Sequence, residues 1–387
     1  MSMRIVRSGF EGAPMEIRFA EDGDLEAVIR FNRRLREGGR GEEQMTLHPS
    51  LPGEARYRPP GFPVYRRMMI AEDGREIRAA MLLYHHNVFI KGERRDFCWA
   101  DMPVSEGIID RKYSLAIIQL MKRAAAYQPF LMTMGVGTPD VDAFRFLVKL
   151  GWRWRLAPFF FYPVRGTKTL LGLRYFKERP KLRFAALLGS VSGAGAGLSG
   201  LLSLRRHLTS FLSTCQSAEE IAFGDWADRI FTDSLPEYAA AIRSDAATLN
   251  IVYPPGDPGY TRLRVRRKGA KQDVGWIVVA SKQMKDNRYF GDLKVGTLAD
   301  GFGRVADAPA LVASGIHHLA ETGVDIIVAN FLHAAWARAC RHSGMITGPS
   351  NYNLFVSPGG PLLREDSCPP EGIHVARGHG DGLFALV

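Results

Sequence analysis

One order of elements occurs twice along the 387 residues of this chain. In the first half, an apolar stretch ending at VSEG precedes the loop IIDRKY, an amphipathic helix, the strand PFLMTMGVG and a short helix ending at Gly151. The second half runs in the same order from LKVGTLADGFG through a helix and VDIIVANF to a short helix ending at Gly344. Alternating strands and helices are typical of a sheet covered by helices. The repeat therefore predicts an α/β fold of two tandem units, each a central mixed sheet flanked by helices.

Chain length agrees with two units, because domains usually have about 100–200 residues. We predict a first unit over 15–165, a basic and apolar linker over 166–215, a second unit over 216–358 and a loose extension over 359–387. Within the first unit, RLAPFFFYPV is expected to be the closing strand. NYNLFVSP is expected to complete the second unit.

The chain is basic, with 51 Lys and Arg against 40 Asp and Glu and a formal charge of +11. Such a surface attracts anions, for example a CoA phosphate, an anionic sugar or a membrane face. Zinc-finger spacing, an RNP signature and a basic tail are missing from the sequence, so we do not expect a nucleic-acid partner. The four cysteines have no CxxC spacing and the N-terminus has no apolar signal core. We expect a cytoplasmic protein without a metal site.

The stretch 184–204 contains no charged residue. Its length would suffice for a spanning helix, which needs about 20 apolar residues, but scattered Gly and Ser weaken both helix formation and partitioning into lipid. We favour an interdomain linker. A peripheral membrane contact, with Arg183, Arg205 and Arg206 near lipid phosphates, and a true span both remain open.

The repeated unit resembles the acyl-CoA-binding half of the GNAT (Gcn5-related N-acetyltransferase) superfamily. That family's loop, Q/R-x-x-G-x-G/A, falls on Ile109, Lys112 and Ser114, without its glycines. The resemblance implies an acetyl-CoA or other acyl-CoA co-substrate, whose pyrophosphate accepts hydrogen bonds from backbone N–H groups at a helix N-terminus. The residues implied to bind it are Val104, Arg111, Lys112, Tyr113 and Ser114.

A second signature of the family places Asn eleven residues, and Tyr four residues, before the glycine that ends the short helix. In the first unit these positions are Asp140, which we add to the acyl-CoA-binding set, and Leu147. In the second unit they are His333 and Cys340. Neither unit has the tyrosine that usually protonates the leaving thiolate. We interpret Cys340 as a small buried core residue rather than a proton donor.

The resemblance also implies a general base on the central strands. Our catalytic candidates are Glu106 and Asp101, on the strand that ends at the loop, and His85 on the preceding strand, where His86 is the alternative. Each has a structural alternative, since Glu106 could hold loop amides and either histidine could be solvated. Asp300 is the comparable carboxylate of the second unit, where it could instead cap a turn.

We favour the first unit as the acyl-CoA site. The second has Gly301 and Gly303 in its loop, but Asp300 and Asp307 add unfavourable charge. The chain is similar to Fem-type and exopolysaccharide-associated acyltransferases, which implies N-acyl transfer from acyl-CoA to an amine acceptor such as an amino sugar or a lipid-linked saccharide. Two other hypotheses stay open: a non-catalytic ligand-binding protein and an aminoacyl-tRNA-dependent transferase.

Overall fold

A computed structural model describes residues 15–40, 62–173, 214–269, 272–364 and 368–380, together with Gly197, Gly200 and Leu204. Apart from those three residues, the stretch 184–204 lies outside the described part, so the predicted membrane contact does too. Across the described ranges, every helix is too short or too polar to cross a membrane.

The first sheet has nine strands in the described part of the chain. Its first four strands are antiparallel neighbours, and the fifth runs parallel to the fourth. In spatial order they are β1 (Glu16–Phe19), β2 (Tyr65–Asp73), β3 (Glu76–Ile90), β4 (Glu93–Ser105), β5 (Leu131–Met134), β15 (Asn353–Val356) and β6 (Arg153–Leu156), while β9 (Ala240–Ile242) pairs with β3 and β16 (Ile373–His374) pairs with β9.

The second sheet has seven described strands in a corresponding order. It too is mixed, since only one neighbouring pair, β12 with β13, is parallel. Its strands are β14 (Ile346–Gly348), β7 (Phe159–Pro163), β13 (Ile326–Asn330), β12 (Lys294–Gly303), β11 (Asp273–Gln283), β10 (Thr261–Arg267) and β8 (Cys215–Glu220).

The two sheets exchange one strand each. Strand β15 from the second half lies between β5 and β6, and β7 from the first half lies between β13 and β14. The expectation that RLAPFFFYPV closes the first sheet is therefore wrong, as is the expectation that NYNLFVSP completes the second. Pro158, which has no N–H to donate, separates β6 from β7 and allows the chain to cross between the sheets. The exchange joins the two units through their backbones.

Helices cover both faces of the first sheet. Helices α2 and α3 pack on one face against Leu83, Cys98 and Leu131. Helix α1 and the second unit share the opposite face, where Trp99 and Met134 are buried. The helices are α1 (Leu25–Glu37), α2 (Ala116–Tyr127), α3 (Asp142–Lys149), α4 (Gly166–Gly172), α5 (Asp225–Ser234), α6 (Ala246–Val252), α7 (Ala308–Glu321) and α8 (Ala334–His342).

In each unit the strand before the loop carries a β-bulge and then separates from its parallel neighbour. The register of β3 and β4 shifts between Ala80 and Leu82, and that of β11 and β12 shifts after Val278. Strand β4 pairs with β5 only at Cys98 and Trp99, although it continues for six further residues. Such bulges bend a strand and end its pairing. We call the gap between β4 and β5 the first slot, and the gap between β12 and β13 the second slot.

Candidate functional site

An Ala-Asp pair stands at the mouth of each slot. Trp99 is the last residue of β4 that pairs with β5, and Leu298 is the last residue of β12 that pairs with β13. Asp101 and Asp300 each follow two residues later and are buried, with 4% and 2% of their surface exposed. The printed sequence carries this signal as WAD in one unit and LAD in the other.

The second slot is filled by the chain's own C-terminal segment. Ala376 forms a β-bridge with Phe331, the Arg377 amide donates to Asn330 O at 3.0 Å, and the Gly378 amide donates to Ala299 O at 2.6 Å. The segment is thus bound to both strands that line the slot. The expectation of a loose extension is wrong for 368–380.

The first slot is open along β4. Among the described residues, no backbone hydrogen bond joins Ala100–Ser105 to β5. Within the described residues, the C-terminal segment reaches the near end of this slot, where Gly380 lies against Trp99 and Met134. Asp101 stands opposite Leu82, on the face shared with the second unit. Its Oδ1 atom has no hydrogen-bond partner within the described residues.

The loop between β4 and α2 folds as two 3-10 turns, Glu106–Ile108 and Arg111–Tyr113. Arg111 and Lys112 are exposed at the N-terminal end of α2, and the Lys112 ammonium lies 3.7 Å from an Asp73 carboxylate oxygen. The loop uses several of its amides internally, since those of Gly107, Ile109, Asp110, Lys112, Tyr113 and Ser114 donate to acceptors within 105–111.

Of the other residues predicted to bind acyl-CoA, some lie at the edge of the slot and some are buried in the core. Val104 is buried against α1 in the hydrophobic core, and Tyr113 is buried beneath the Arg78 guanidinium, 4.4 Å from its ring centre. Asp140 is exposed in the loop after β5, and a hydrogen bond with the Thr138 side chain lowers its pKa. Because β4 and β5 are parallel, the loops that contain Ser114 and Asp140 leave the same edge of the sheet.

Glu106 is held as a structural ion pair. Its Oε1 lies 2.5 Å from Arg34 Nε and its Oε2 lies 2.6 Å from Arg78 Nη1, and only 2% of the residue is exposed. Both carboxylate oxygens therefore already accept charge-assisted hydrogen bonds, which fasten the loop to α1 and β3. This geometry fits the structural alternative for Glu106.

His85 faces away from the slot mouth. Its ring stacks on Tyr65 at 4.1 Å, and its Nδ1 lies 3.2 Å from Cys98 Sγ on the face covered by α2. Burial lowers the pKa of His85 to about 4. Glu106 lies eight residues beyond Cys98 along β4, roughly 26 Å at 3.3 Å per residue. The structure does not bring His85 and Glu106 together, and of the three catalytic candidates Asp101 is the one at the slot mouth, two residues after the last paired residue of β4.

A buried polar cluster surrounds Asp300. The Tyr253 hydroxyl donates to Oδ2 at 3.2 Å, the Gly301 amide donates to Oδ1 at 2.8 Å, and His379 Nε2 lies 3.5 Å from Oδ2. Burial raises the pKa of Asp300 to about 7, against the effect of the bonds from Gly301 and Tyr253. Burial lowers the pKa of His379 to about 4.

Asp300 lines a cavity between the two units. Trp99, Tyr84 and His86 of the first unit face it together with His379. Its volume of about 10 Å³ is near the minimum for a single water. From the sequence, Asp300 was expected to be a base of its own unit. In the structure its carboxylate instead lines a cavity with Trp99, at the first slot. Tyr253 and His379 carried no motif, so their contribution could not be identified from the sequence.

A second, larger cavity of about 450 Å³ opens at the first sheet, where β2 begins at Tyr65 and β9 ends just before Arg243. His86 and Arg243 line both cavities, so the two are neighbours. Its wall combines aromatic and polar side chains, among them Phe62, Tyr65, Tyr127, Asn87, Arg94, Asp96 and Gln128.

The loop of the second unit already holds a carboxylate. Glu237 Oε1 accepts from Arg304 Nε at 2.9 Å and its Oε2 accepts from the Val305 amide at 2.7 Å. His333 caps α8 through Nδ1, which accepts from the Ala335 amide. Cys340 is fully buried, which confirms its interpretation as a core residue.

No family model matches the chain, and no curated protein matches its sequence. Among solved structures, Saccharomyces cerevisiae N-myristoyltransferase with bound myristoyl-CoA and inhibitors superposes with a TM-score of 0.52 at 10% identity, over 93% of this chain and 86% of that one. The same enzyme with bound myristoyl-CoA gives 0.50 at 9% identity, over 94% and 84%. A GCN5-related N-acetyltransferase from Anabaena variabilis gives 0.47 at 7% identity, over 88% and 72%.

The chain has the fold of that N-myristoyltransferase. The N-myristoyltransferase likeness extends over most of both chains, and it confirms the predicted mixed-sheet α/β class. At 10% identity or less, it shows the fold alone. Within that fold, the bulged strand and the slot beside its parallel neighbour occur once in each unit.

Proposed function

We propose that this protein is an acyl-CoA-dependent N-acyltransferase whose acyl-CoA lies in the first slot. The supporting observation is the contrast between the slots: among the described residues, backbone groups of Ala100–Ser105 have no partner on the β5 side, whereas those lining the second slot bind the C-terminal segment. Unpaired backbone amides and carbonyls need partners, and the amides of a pantetheine arm can supply them. The yeast N-myristoyltransferase of the same fold was solved with myristoyl-CoA.

The phosphates of the acyl-CoA would lie at the N-terminal end of α2. The amides of the first turn of α2, which have no intrahelical acceptor, and the exposed side chains of Arg111 and Lys112 favour negative charge there. Ser114 and Asp140 lie at the same edge of the slot. In the second unit, the carboxylate of Glu237 occupies the corresponding loop amide, which disfavours a phosphate at that position.

Acyl transfer follows from this placement. The neutral amine attacks the thioester carbonyl carbon, a C–N bond forms, and the C–S bond breaks with its electrons leaving on the CoA thiolate. A β4 amide at the slot can stabilise the oxyanion. Asp101 is the carboxylate of the first unit that faces this point. Leu147 takes the position of the family's tyrosine, so solvent protonates the thiolate.

The acceptor would enter through the larger cavity. Its aromatic rings can pack on the C–H faces of a sugar, while Asn87, Asp96 and Gln128 can bind hydroxyl groups. His86 and Arg243 link this cavity to the one beside Asp300. We therefore propose an amino sugar, free or lipid-linked, as the acceptor.

Thermal unfolding with acetyl-CoA, myristoyl-CoA or free CoA tests the proposal. A ligand at 100 times its Kd stabilises the native state by about 2.7 kcal/mol, so the Tm should rise by several degrees. Arg111→Ala/Lys112→Ala should remove most of this shift. Lys122→Ala/Arg123→Ala is the matched control, because it removes the same charge from an exposed part of α2 beyond its first turn and should retain the shift.

A thiol-release assay with glucosamine as acceptor then measures turnover. Release that depends on both acyl-CoA and the amine is expected. Absence of a Tm shift with all three CoA ligands would overturn the proposal. A shift that survives the Arg111 and Lys112 changes would instead place the ligand elsewhere in the chain.

A further inference from the structure

We propose that Asp300, from the second unit, accepts the proton from the amine during acyl transfer in the first slot. The active site would then be composite, with acyl-CoA bound by one unit and the proton acceptor supplied by the other. This assignment rests on the proposed function and identifies a catalytic residue for it.

Asp300 cannot serve an acyl-CoA in its own unit in this structure. The chain segment that passes beside it bonds to Ala299 and Asn330, one on each strand of the second slot. The carboxylate instead lines the small cavity together with Trp99. Trp99 is the last paired residue of β4 and stands two residues before Asp101. Of the two slots, the first is the one whose β4 edge has no backbone partner in the described part of the chain, and it is the one nearest this carboxylate.

The neighbours of Asp300 fix it as a hydrogen-bond acceptor. The Ala376 amide donates to His379 Nδ1 at 2.9 Å, so a neutral His379 ring carries its hydrogen on Nε2. That N–H is the group 3.5 Å from Asp300 Oδ2. With the Tyr253 hydroxyl and the Gly301 amide, three donors surround the carboxylate. Tyr253 and His379 are positioning residues in this arrangement.

Formal charge near Asp300 is already balanced. The Arg243 guanidinium lines the cavity, but its Nε lies 2.5 Å from Asp245 Oδ2. His374 Nε2 lies 2.8 Å from Gly301 O, and burial lowers the pKa of His374 well below its usual range. Burial also lowers the pKa of His86 to about 3. The named histidines are neutral and Arg243 is paired with Asp245, so none of these groups holds Asp300 permanently ionised, and the carboxylate can take and release a proton near neutral pH.

The two aspartates then have different tasks. Asp101 Oδ1 lacks a hydrogen-bond partner among the described residues and can accept a hydrogen bond from the incoming neutral amine. As the C–N bond forms, the nitrogen gives its proton to Asp300, and the electrons of the C–S bond leave with CoA. Solvent later removes the proton from Asp300, which restores the resting state.

The test compares Asp300→Asn with Asp101→Asn in the thiol-release assay. Asp300→Asn should lower kcat by about 100-fold or more, the usual contribution of a general base, while the Tm shift with acyl-CoA stays unchanged. Asp101→Asn should mainly raise the KM for the amine and keep the wild-type pH profile. An Asp300→Asn enzyme with wild-type kcat would overturn the assignment.

Tyr253→Phe gives a second test that does not depend on how well Asp300→Asn folds. Loss of one donor to the carboxylate should move the midpoint of the kcat–pH profile upward from its value near 7. A purely structural role of Tyr253 would lower the Tm and leave this midpoint in place, which would count against the assignment. If the wild-type chain neither binds nor turns over acyl-CoA, the proposed function itself fails, a result distinct from either variant outcome.

Discussion

At the scale of single residues, Glu106 shows how a buried carboxylate can be structural. Glu106→Gln keeps its shape but removes the charge that Arg34 and Arg78 share. Removing one partner of a buried ion pair is costly because the other charges stay desolvated. Arg34 also pairs with Glu76, which limits the loss. We expect the free energy of unfolding to fall by about 2 kcal/mol.

Urea unfolding measures this loss, and Glu93→Gln is the control. Glu93 pairs with Arg95, but their side chains are 71% and 57% exposed, so its replacement should change stability by no more than about 0.5 kcal/mol. A stable Glu106→Gln variant that has lost acyl transfer would contradict the structural role and return Glu106 to the catalytic candidates.

At the scale of elements, the packing of the C-terminal segment depends on Gly378. A Cβ added there would lie 2.5 Å from Tyr253 Oη and 2.8 Å from Ala299 O, closer than real Cβ contacts. Gly378→Ala should therefore displace the segment from the second slot and destabilise the protein by about 1–3 kcal/mol, as overpacking does. Limited proteolysis should then cut the C-terminal segment faster. Gly23→Ala is the control, since nothing lies within 4 Å of its added Cβ. Unchanged proteolysis of Gly378→Ala would contradict this prediction.

The elements also show what sequence patterns can predict. The apolar strand, the loop and the amphipathic helix of each unit follow from apolar periodicity, so the fold class was predictable, whereas the bulges were not. The exchange of Phe159–Pro163 with Asn353–Val356 was not, because both are short apolar strands and only tertiary pairing decides their sheet. Asp101 and Asp300 were recognisable as candidates because each lies near the end of its strand. The direction in which Asp300 faces was not predictable, because only tertiary packing decides it.

At the scale of the whole molecule, the contact between the units is rich in neutral histidines. Burial lowers the pKa of His333 and His379 to about 4 and that of His86 to about 3, and it lowers the pKa of His374 well below its usual range. Asp300 has the opposite shift, because burial raises its pKa to about 7. The lowered histidine pKa values and the raised Asp300 pKa therefore have opposite effects on how the free energy of unfolding changes with pH.

The sign of the pH dependence follows from which state binds protons. Between pH 6.5 and about 4, histidines in the unfolded chain become protonated while the buried ones stay neutral, so stability falls as the pH falls. For a pKa lowered from 6.5 to about 4, such as that of His333 or His379, the loss at pH 5 is about 2 kcal/mol. Asp300 acts the other way between its unfolded pKa of 3.8 and about 7, because it is protonated only in the native state. The loss of stability from the four histidines is larger than the gain from the one aspartate, so the net stability falls as the pH falls.

We therefore expect the urea midpoint to fall steeply between pH 7.5 and pH 5. His333→Asn should reduce this slope by the share of one histidine, because Asn keeps the helix-capping acceptor but does not titrate. His342→Asn is the matched control, because it makes the same replacement at the exposed end of the same helix. A urea midpoint that stays level or rises on acidification would show that these histidines are solvated. The two units would then be packed less tightly than the geometry around Asp300 requires.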